Sequence, residues 1–308
     1  MKICCIVLVY NELEYTIKTF KSLHQQKNEQ FNFDIICVDN ASDKKYAIPL
    51  QEYCSKESIR YIRHEVNDGY AGGNNFAFEI ARNEGYELVF IANNDIELMN
   101  NEIMEKMVNS FNIDERIALV GTHLVDTEGN KNRVPRISAA ITKLEKINEY
   151  ENETFISVPF VTGCFFVVRT SCIKNQDLFD YSYFMYSEEQ NLEFQLMHEG
   201  YYVGILKDSD CVVKHYGGFF DFNTQSRWSI YLSARNFVLS MRDFSLKVRL
   251  FFYFSYFLIL LRKAISCRKI SILSGYFSGI RLIIKKASKK FVYEDAITHV
   301  KKIGGKNR

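Results

Sequence analysis

Short apolar runs punctuate the first part of the chain, at Ile3 to Val9, Phe33 to Val38, Ile59 to Ile62, Leu88 to Ala92 and Ile117 to Val120. Runs of this length, apolar throughout, suit strands buried on both faces. Between them, Glu14 to His24 and Asn74 to Arg82 place apolar residues three and four apart, the period of an amphipathic helix. Strands alternating with helices predict an α/β fold with a mainly parallel central sheet flanked by helices. Regular patterning returns at Phe160 to Arg169, Tyr201 to Leu206 and Cys211 to His215. A helix is expected from Glu188 to Gly200, where glycine suits a left-handed cap, and the pattern is helical after Trp228. Residues 122 to 155 are polar and read as a variable excursion.

In sheets of this kind ligands bind beyond the carboxyl ends of the strands. The polar residues that close each apolar run are therefore the candidates: Tyr10, Asn11 and Glu12, then Asp39 and Asn40, then Asn67 and Asp68, then Asn93, Asn94 and Asp95. Asp39 could accept hydrogen bonds from a nucleobase or ribose, or serve as a turn residue. The segment Asn67-Asp68-Gly69-Tyr70-Ala71-Gly72-Gly73-Asn74-Asn75 offers main-chain amides to an anionic group at the start of a helix. It is neither a Walker loop nor a GxGxxG turn. Asp95 could hold a divalent cation with diphosphate oxygens and water as co-ligands, which suits Mn2+ or Mg2+. His215, before a diglycine, could complete that site or be structural. Glu188 and Glu189 stand at a helix start, where the dipole favours acids and where one of them could act as a general base.

The ordered set of motifs resembles the family 2 glycosyltransferases with the GT-A fold, particularly bacterial rhamnosyltransferase-like members. Its pieces are Val7 to Asn11, Val38 to Ser42, Asn67 to Asn75, Asn93 to Asp95, Thr162 to Phe165, Glu188-Glu189, His215 and Arg235-Asn236. The resemblance spans roughly residues 3 to 240. It implies an inverting glycosyltransferase that uses a nucleotide diphosphate sugar and a glycan acceptor, in bacterial cell-surface polysaccharide synthesis. By that resemblance Tyr10, Asn11, Asp39, Asn67, Gly72, Gly73, Asn93 and Asn94 border the nucleotide-sugar, Asp95 and His215 hold Mn2+ or Mg2+, and Glu189 or Glu188 is the base. The family's usual pair is Glu-Asp, and Glu189 stands at the aspartate position, so both glutamates remain candidates. A nucleotide-sugar-binding or assembly protein of the same fold is the alternative. A nucleotidyltransferase would carry a glycine-rich signature after the first strand, where this chain has Tyr10-Asn11-Glu12.

Charge divides the chain. From Met241 onward 16 Lys/Arg face 3 Asp/Glu, a local charge of +13, while the first 240 residues carry 23 basic and 34 acidic groups, or −11. This predicts a catalytic domain over 1–240 and a basic, aromatic-rich helical tail over 241–308. The run Leu250 to Leu261, flanked by Lys247, Arg249, Arg262 and Lys263, is too short to span a bilayer. It suits an interfacial helix on an anionic membrane, or a helix packed on the core with a solvated basic face. No nucleic-acid-binding motif accompanies the charge. Eight cysteines without any CxxC pair, and an N-terminal apolar run too short for a signal peptide, point to buried thiols in a reducing, cytoplasmic setting. Together these predict a cytoplasmic protein held peripherally on the inner face of the cell membrane.

Overall fold

In the computed structural model the described residues are 1–29, 31–131, 140, 143–144, 149–218, 220, 222–269 and 271–304. The chain begins with β1 (Ile3–Val9), α1 (Glu14–His24), β2 (Asp34–Asn40), α2 (Lys44–Lys56), β3 (Arg60–His64), α3 (Gly69–Asn83) and β4 (Leu88–Asn93). There follow β5 (Ile96–Leu98), α4 (Ile103–Ser110), β6 (Ile117–Gly121), β7 (His123–Val125), β8 (Phe155–Ser157) and β9 (Phe165–Arg169). Then come α5 (Glu188–His198), β10 (Tyr202–Leu206), β11 (Val212–His215), α6 (Arg227–Leu239), α7 (Leu246–Ser266), α8 (Ser271–Ile284) and α9 (Lys289–Gly304).

Eight strands form one sheet in the order β3-β2-β1-β4-β9-β6-β10-β8, and β5-β11-β7 form a second. In the large sheet β1 runs parallel to β2 and β4, and β2 parallel to β3. β9 enters antiparallel between β4 and β6. The expected mainly parallel sheet is therefore present, with β9 and β8 reversed.

Alternation along β1 divides the core. Cys5, Val7 and Val9 face one side with Phe20 and Leu23 of α1, Leu50 and Cys54 of α2, and Met104 and Met107 of α4. Cys4 and Ile6 face the other with Ala77 and Phe78 of α3 and Leu192 and Leu196 of α5. The period-two pleat thus buries both faces of one strand under different helices. Among the described residues the sheet edges and both helix layers agree with the expected α/β class.

Element boundaries differ in informative places. β9 begins at Phe165, not Phe160, because Val161 turns its amide to Glu193 Oε1 at 3.1 Å instead of joining the ladder. β7 lies within the polar excursion and β8 begins at its last residue; 132–139, 141–142 and 145–148 fall outside the described residues. Gly72 and Gly73 belong to the first turn of α3, and only Gly69 has a left-handed backbone, with φ of 73°. Gly73 is needed for close approach instead: a Cβ there would lie 2.6 Å from a methyl of Leu8.

The C-terminal helices pack on the α/β body. Phe194 of α5 shares a buried cluster with Ile230, Ala234 and Val238 of α6, Phe252 and Tyr256 of α7, and Ile272 and Tyr276 of α8. α8 meets α6 through glycines, where a Cβ at Gly275 would stand 2.3 Å from the Tyr231 carbonyl oxygen and one at Gly279 2.8 Å from that of Arg235. Backbones this close tolerate no added carbon without separation. Gly275→Ala should cost about 1–3 kcal/mol, read as a lower Tm; an unchanged Tm would mean that the contact is slack.

Candidate functional site

Parallel pairing lines up the polar ends of the strands. Val9 pairs with Asp39, Asp39 with Arg63 and Leu8 with Asn93. Tyr10 and Asn11 therefore stand beside the carboxyl ends of β2 and β4. Asn11 sits at φ 54°, with its amide on Ser42 Oγ at 2.9 Å and its Oδ1 accepting from Asp43 N at 2.7 Å. It stitches the turn after β1 to the turn after β2. Tyr10 is half exposed above it.

Asp39 is buried, and both oxygens of its carboxylate are hydrogen-bonded. Oδ1 accepts from Ser42 N at 2.8 Å, while Oδ2 accepts from Tyr61 Oη and Arg63 Nη1, both at 2.6 Å. Arg63 also donates to the Ser42 carbonyl at 3.1 Å. A nucleobase at this position meets a carboxylate already paired with arginine, so Arg63 and Tyr61 belong to the candidate site. Both reside on β3, whose polar residues the apolar pattern does not flag.

Asn67 Oδ1 accepts from Gly69 N and from Asn40 Nδ2. This closes the turn that starts α3. The Ala71 amide donates to the Phe184 carbonyl at 3.2 Å, tying α3 to the segment before α5. Asn94 Nδ2 donates to Thr16 Oγ1 at 3.0 Å, an anchor to α1.

Asp95 and His215 come together. Ile96, next to Asp95, pairs with His215 across β5 and β11, and Tyr216 N donates to the Asp95 carbonyl at 2.8 Å. The ladder brings His215 Nε2 to 3.3 Å from Asp95 Oδ1, with both side chains partly buried. Gly217 leaves the space before them open, since a Cβ there would lie 2.5 Å from Asp95 Oδ2 and 3.3 Å from His215 Nε2. One carboxylate and one imidazole fit a Mn2+ or Mg2+ ion that takes its other ligands from diphosphate and water. No group of three or more His, Cys, Asp or Glu suited to a metal occurs among the described residues.

Glu188 and Glu189 open α5 after an unusual turn: Phe184, Tyr186 and Ser187 have φ of 64°, 74° and 66°. Each such residue costs about 1–3 kcal/mol unless its surroundings hold it. Asn236 supplies that hold, donating its Nδ2 to the carbonyls of Tyr183, Met185 and Tyr186 at 2.9, 2.7 and 3.0 Å. Glu188 is buried, whereas Glu189 is partly exposed and lies against Gly163, where a Cβ would stand 3.3 Å from its Cδ. Burial pushes the Glu189 carboxyl up to about 7, and burial with the charge of Glu189 raises Glu188 and Glu193 well above the usual carboxylate range. One oxygen of each of these three carboxyls is buried with no protein partner among the described residues.

Tyr70 connects the two halves, since its hydroxyl donates to the Gly163 carbonyl. Burial raises the Cys164 thiol to about 12, offset in part by Thr162, and both Asp95 and Glu189 add to the rise. Glu189 lies against Gly163, and the Cys164 carbonyl beside it accepts from Asn93 N at 2.8 Å, so the segment before β9 touches both the acidic pair and the end of β4. Sequence reasoning quoted Tyr70 within its motif but gave it no role.

The profile of glycosyl transferase family 2 matches residues 4–175, more than half of the chain, and the chain belongs to that family. It is 24% identical over 246 residues to the low-salt glycan biosynthesis hexosyltransferase Agl10 of Haloferax volcanii, covering 76% of this chain and 77% of that one. Among solved structures, S. aureus TarS 1–349 superposes with a TM-score of 0.61 at 17% identity, over 92% of this chain and 80% of that chain. Another S. aureus TarS structure is matched over only 40% of its length. A mannosyltransferase from Pyrobaculum calidifontis in complex with GDP-Man and Mn2+ gives 0.57 at 12% identity, over 93% and 88% of the two chains. The fold is thus the GT-A fold of glycosyltransferases, with helices added at the C-terminal end.

Glu189 offers a direct test of this electrostatic picture. Its folded-state pKa lies above the ordinary 4.5, so its contribution to stability is complete below pH 4.5 and is lost as pH rises through about 7. Glu189→Gln cannot ionise, so its Tm should gain on wild type between pH 5 and 8. A constant Tm difference over that range would show an ordinary carboxyl.

Proposed function

We propose that this glycosyltransferase moves a hexosyl or deoxyhexosyl group from a nucleotide diphosphate sugar to an acceptor hydroxyl, with inversion at the anomeric carbon, in cell-surface polysaccharide synthesis. The observations that carry the reading are the approach of His215 Nε2 to Asp95 Oδ1 at 3.3 Å and the contact of Glu189 with Gly163, next to the Cys164 carbonyl that accepts from Asn93 N. The names of the similar proteins, a glycan hexosyltransferase and a mannosyltransferase with GDP-Man and Mn2+, support it.

In this reading the nucleotide lies along the ends of β1, β2 and β4. Tyr10 covers the base, Arg63 and Asp39 meet its edge, and Asn11, Asn67, Gly72, Gly73, Asn93 and Asn94 shape the turns around the ribose and diphosphate. Asp95 and His215 would hold Mn2+ or Mg2+, which when bound would supply positive charge to the departing diphosphate. Glu189, with its raised pKa, takes the acceptor O–H proton while that oxygen bonds to the anomeric carbon. The bond to the diphosphate oxygen breaks with its electron pair retained there. Glu188 is too buried to reach an acceptor. Burial of Glu189 keeps the base near neutral pH, where general bases work best.

Glu189→Gln should lower kcat by about 10²–10⁴-fold, and the wild-type rate should rise with pH through a limb near 7 as the carboxylate forms. Asp95→Ala should remove both transfer and Mn2+-dependent nucleotide binding. Full transfer by either purified variant would refute its assigned role, and nucleotide binding without turnover by the wild type would favour a binding protein.

The acceptor is proposed to be lipid-linked and the protein peripheral on an anionic membrane facing the cytoplasm. α7 buries Val248, Phe252, Tyr256, Leu260 and Ala264 and turns Leu250, Phe251, Phe254, Leu258 and Ile265 outward beside Lys247, Arg262 and Lys263. An apolar ridge flanked by cations suits insertion at headgroup depth. No helix among the described residues is long and apolar enough to cross a membrane. In flotation with vesicles containing anionic phospholipid the protein should rise with the vesicles, and Phe251→Ser with Phe254→Ser should leave it at the bottom. Equal flotation of wild type and double variant would dismiss the ridge as the contact.

A further inference from the structure

One C-terminal helix reaches both halves of the site. Tyr293 of α9 donates its hydroxyl to Asp68 Oδ1 at 2.6 Å. Asp68 precedes α3, its other oxygen lies 2.9 Å from His64 Nε2, and a Cβ on Gly72 would stand 2.4 Å from its own Cβ. Asp68 is therefore held on three sides, and the turn Asn67–Gly69 moves with it.

Two residues further along α9, Asp295 Oδ2 accepts from Arg235 Nη1 at 3.0 Å and from Tyr231 Oη at 3.1 Å. Arg235 is fully buried, and its Nε donates to Asn236 Oδ1 at 2.9 Å. Guanidinium has only donors, so the Asn236 atom that faces it must be oxygen, and the amide nitrogen must face away. That nitrogen meets the three carbonyls of the left-handed turn before Glu188 and Glu189. The direction of the hydrogen bonds in this chain is thus set by the guanidinium, whose charge the Asp295 carboxylate balances and whose place it fixes. Without Asp295 the buried guanidinium keeps its charge and loses its counter-ion.

We propose that α9 is a positioning clamp for both loops: Tyr293 sets the glycine-rich turn, and Asp295, acting through Arg235 and Asn236, sets the turn that aims Glu189. Neither residue touches substrate in this arrangement. The proposal rests on the reading of Glu189 as base and of the Asn67–Gly73 turn as a nucleotide contact, but its structural core is separable from both.

The full-length Asp295→Asn and Tyr293→Phe variants test it by hydrogen exchange, by calorimetric binding of UDP and GDP with Mn2+, and by transfer kinetics. Asp295→Asn should accelerate amide exchange over residues 181–190 by about tenfold or more and lower kcat, with Kd for the bound nucleotide unchanged. Tyr293→Phe should raise that Kd by about three- to tenfold, the loss of one hydrogen bond, with exchange over 181–190 unaltered. If Asp295→Asn does not fold, Asp295→Glu, which keeps the charge but displaces it, carries the same comparison. Unchanged exchange over 181–190, or exchange raised equally throughout α6 and α8, would overturn the clamp. If Glu189→Gln retains transfer while Asp295→Asn still loosens 181–190, the base assignment falls and the clamp stands.

Discussion

The register of β1 against β2 and β4 is the constraint on which the site depends. Parallel strands carry their carboxyl ends to the same edge, and here Val9 with Asp39 and Leu8 with Asn93 set how far each strand reaches. A slip of one residue in β1 would exchange Cys5, Val7 and Val9 with Cys4 and Ile6 between two differently shaped cores. The antiparallel entry of β9 completes the arrangement. Because it runs the other way, its leading residues Thr162–Cys164 arrive at the edge where β1, β2 and β4 end. The Cys164 carbonyl accepts from Asn93 N at 2.8 Å, which joins the approach of β9 to the exit of β4. Both strand directions thus deliver polar groups to one place.

Energetically the two halves of the site are unlike. At the ends of β2 and β3 the carboxylate is satisfied: Asp39 accepts three hydrogen bonds, one of them from a guanidinium. On the acidic side, Glu188, Glu189 and Glu193 crowd into the first turns of one helix, each with an oxygen lacking a partner among the described residues. Such groups disfavour their own ionisation and destabilise the fold when charged. Left-handed residues precede them. The fully buried pair Arg235 and Asn236 compensates, and the helices beyond residue 240 contribute the counter-ion. Strain and desolvation are concentrated at the acidic end, and their restraint comes from the C-terminal helices.

Much of this was legible in the sequence, for definite reasons. Asp39 and Asn93 to Asp95 follow uninterrupted apolar runs, and His215 follows one broken only by Lys214; strand ends of that kind announce themselves. β1 and α1 were legible residue for residue because their periodicity is clean. α2 is poorly patterned, with Pro49 inside it and only Ala47, Leu50 and Cys54 buried. The membership of Gly72 and Gly73 in α3 was hidden because glycine suits a loop equally well. Their real requirement is space against Leu8 and Asp68. The pairing of Arg63 with Asp39, and of Asp295 with Arg235, joins residues on different elements. No local pattern encodes such contacts. The partition of charge at Met241 was visible, but it could not reveal that a basic segment carries the single acid that neutralises a buried arginine.

The place of β9 has a consequence for the order in which the molecule can assemble. β3, β2, β1 and β4 are mutually paired and are all made before residue 94, so that half of the sheet can close while synthesis continues. β4 then presents an unpaired edge, because its neighbour on that side is not β6 but the much later Phe165–Arg169. β6 emerges in the interval with the wrong partner available. An open, apolar strand edge of this kind is a template for pairing between chains. The nascent chain is therefore most prone to aggregation in the window between the completion of β4 and the arrival of β9, and a chain interrupted there would be a nucleus for aggregation, not a small stable domain.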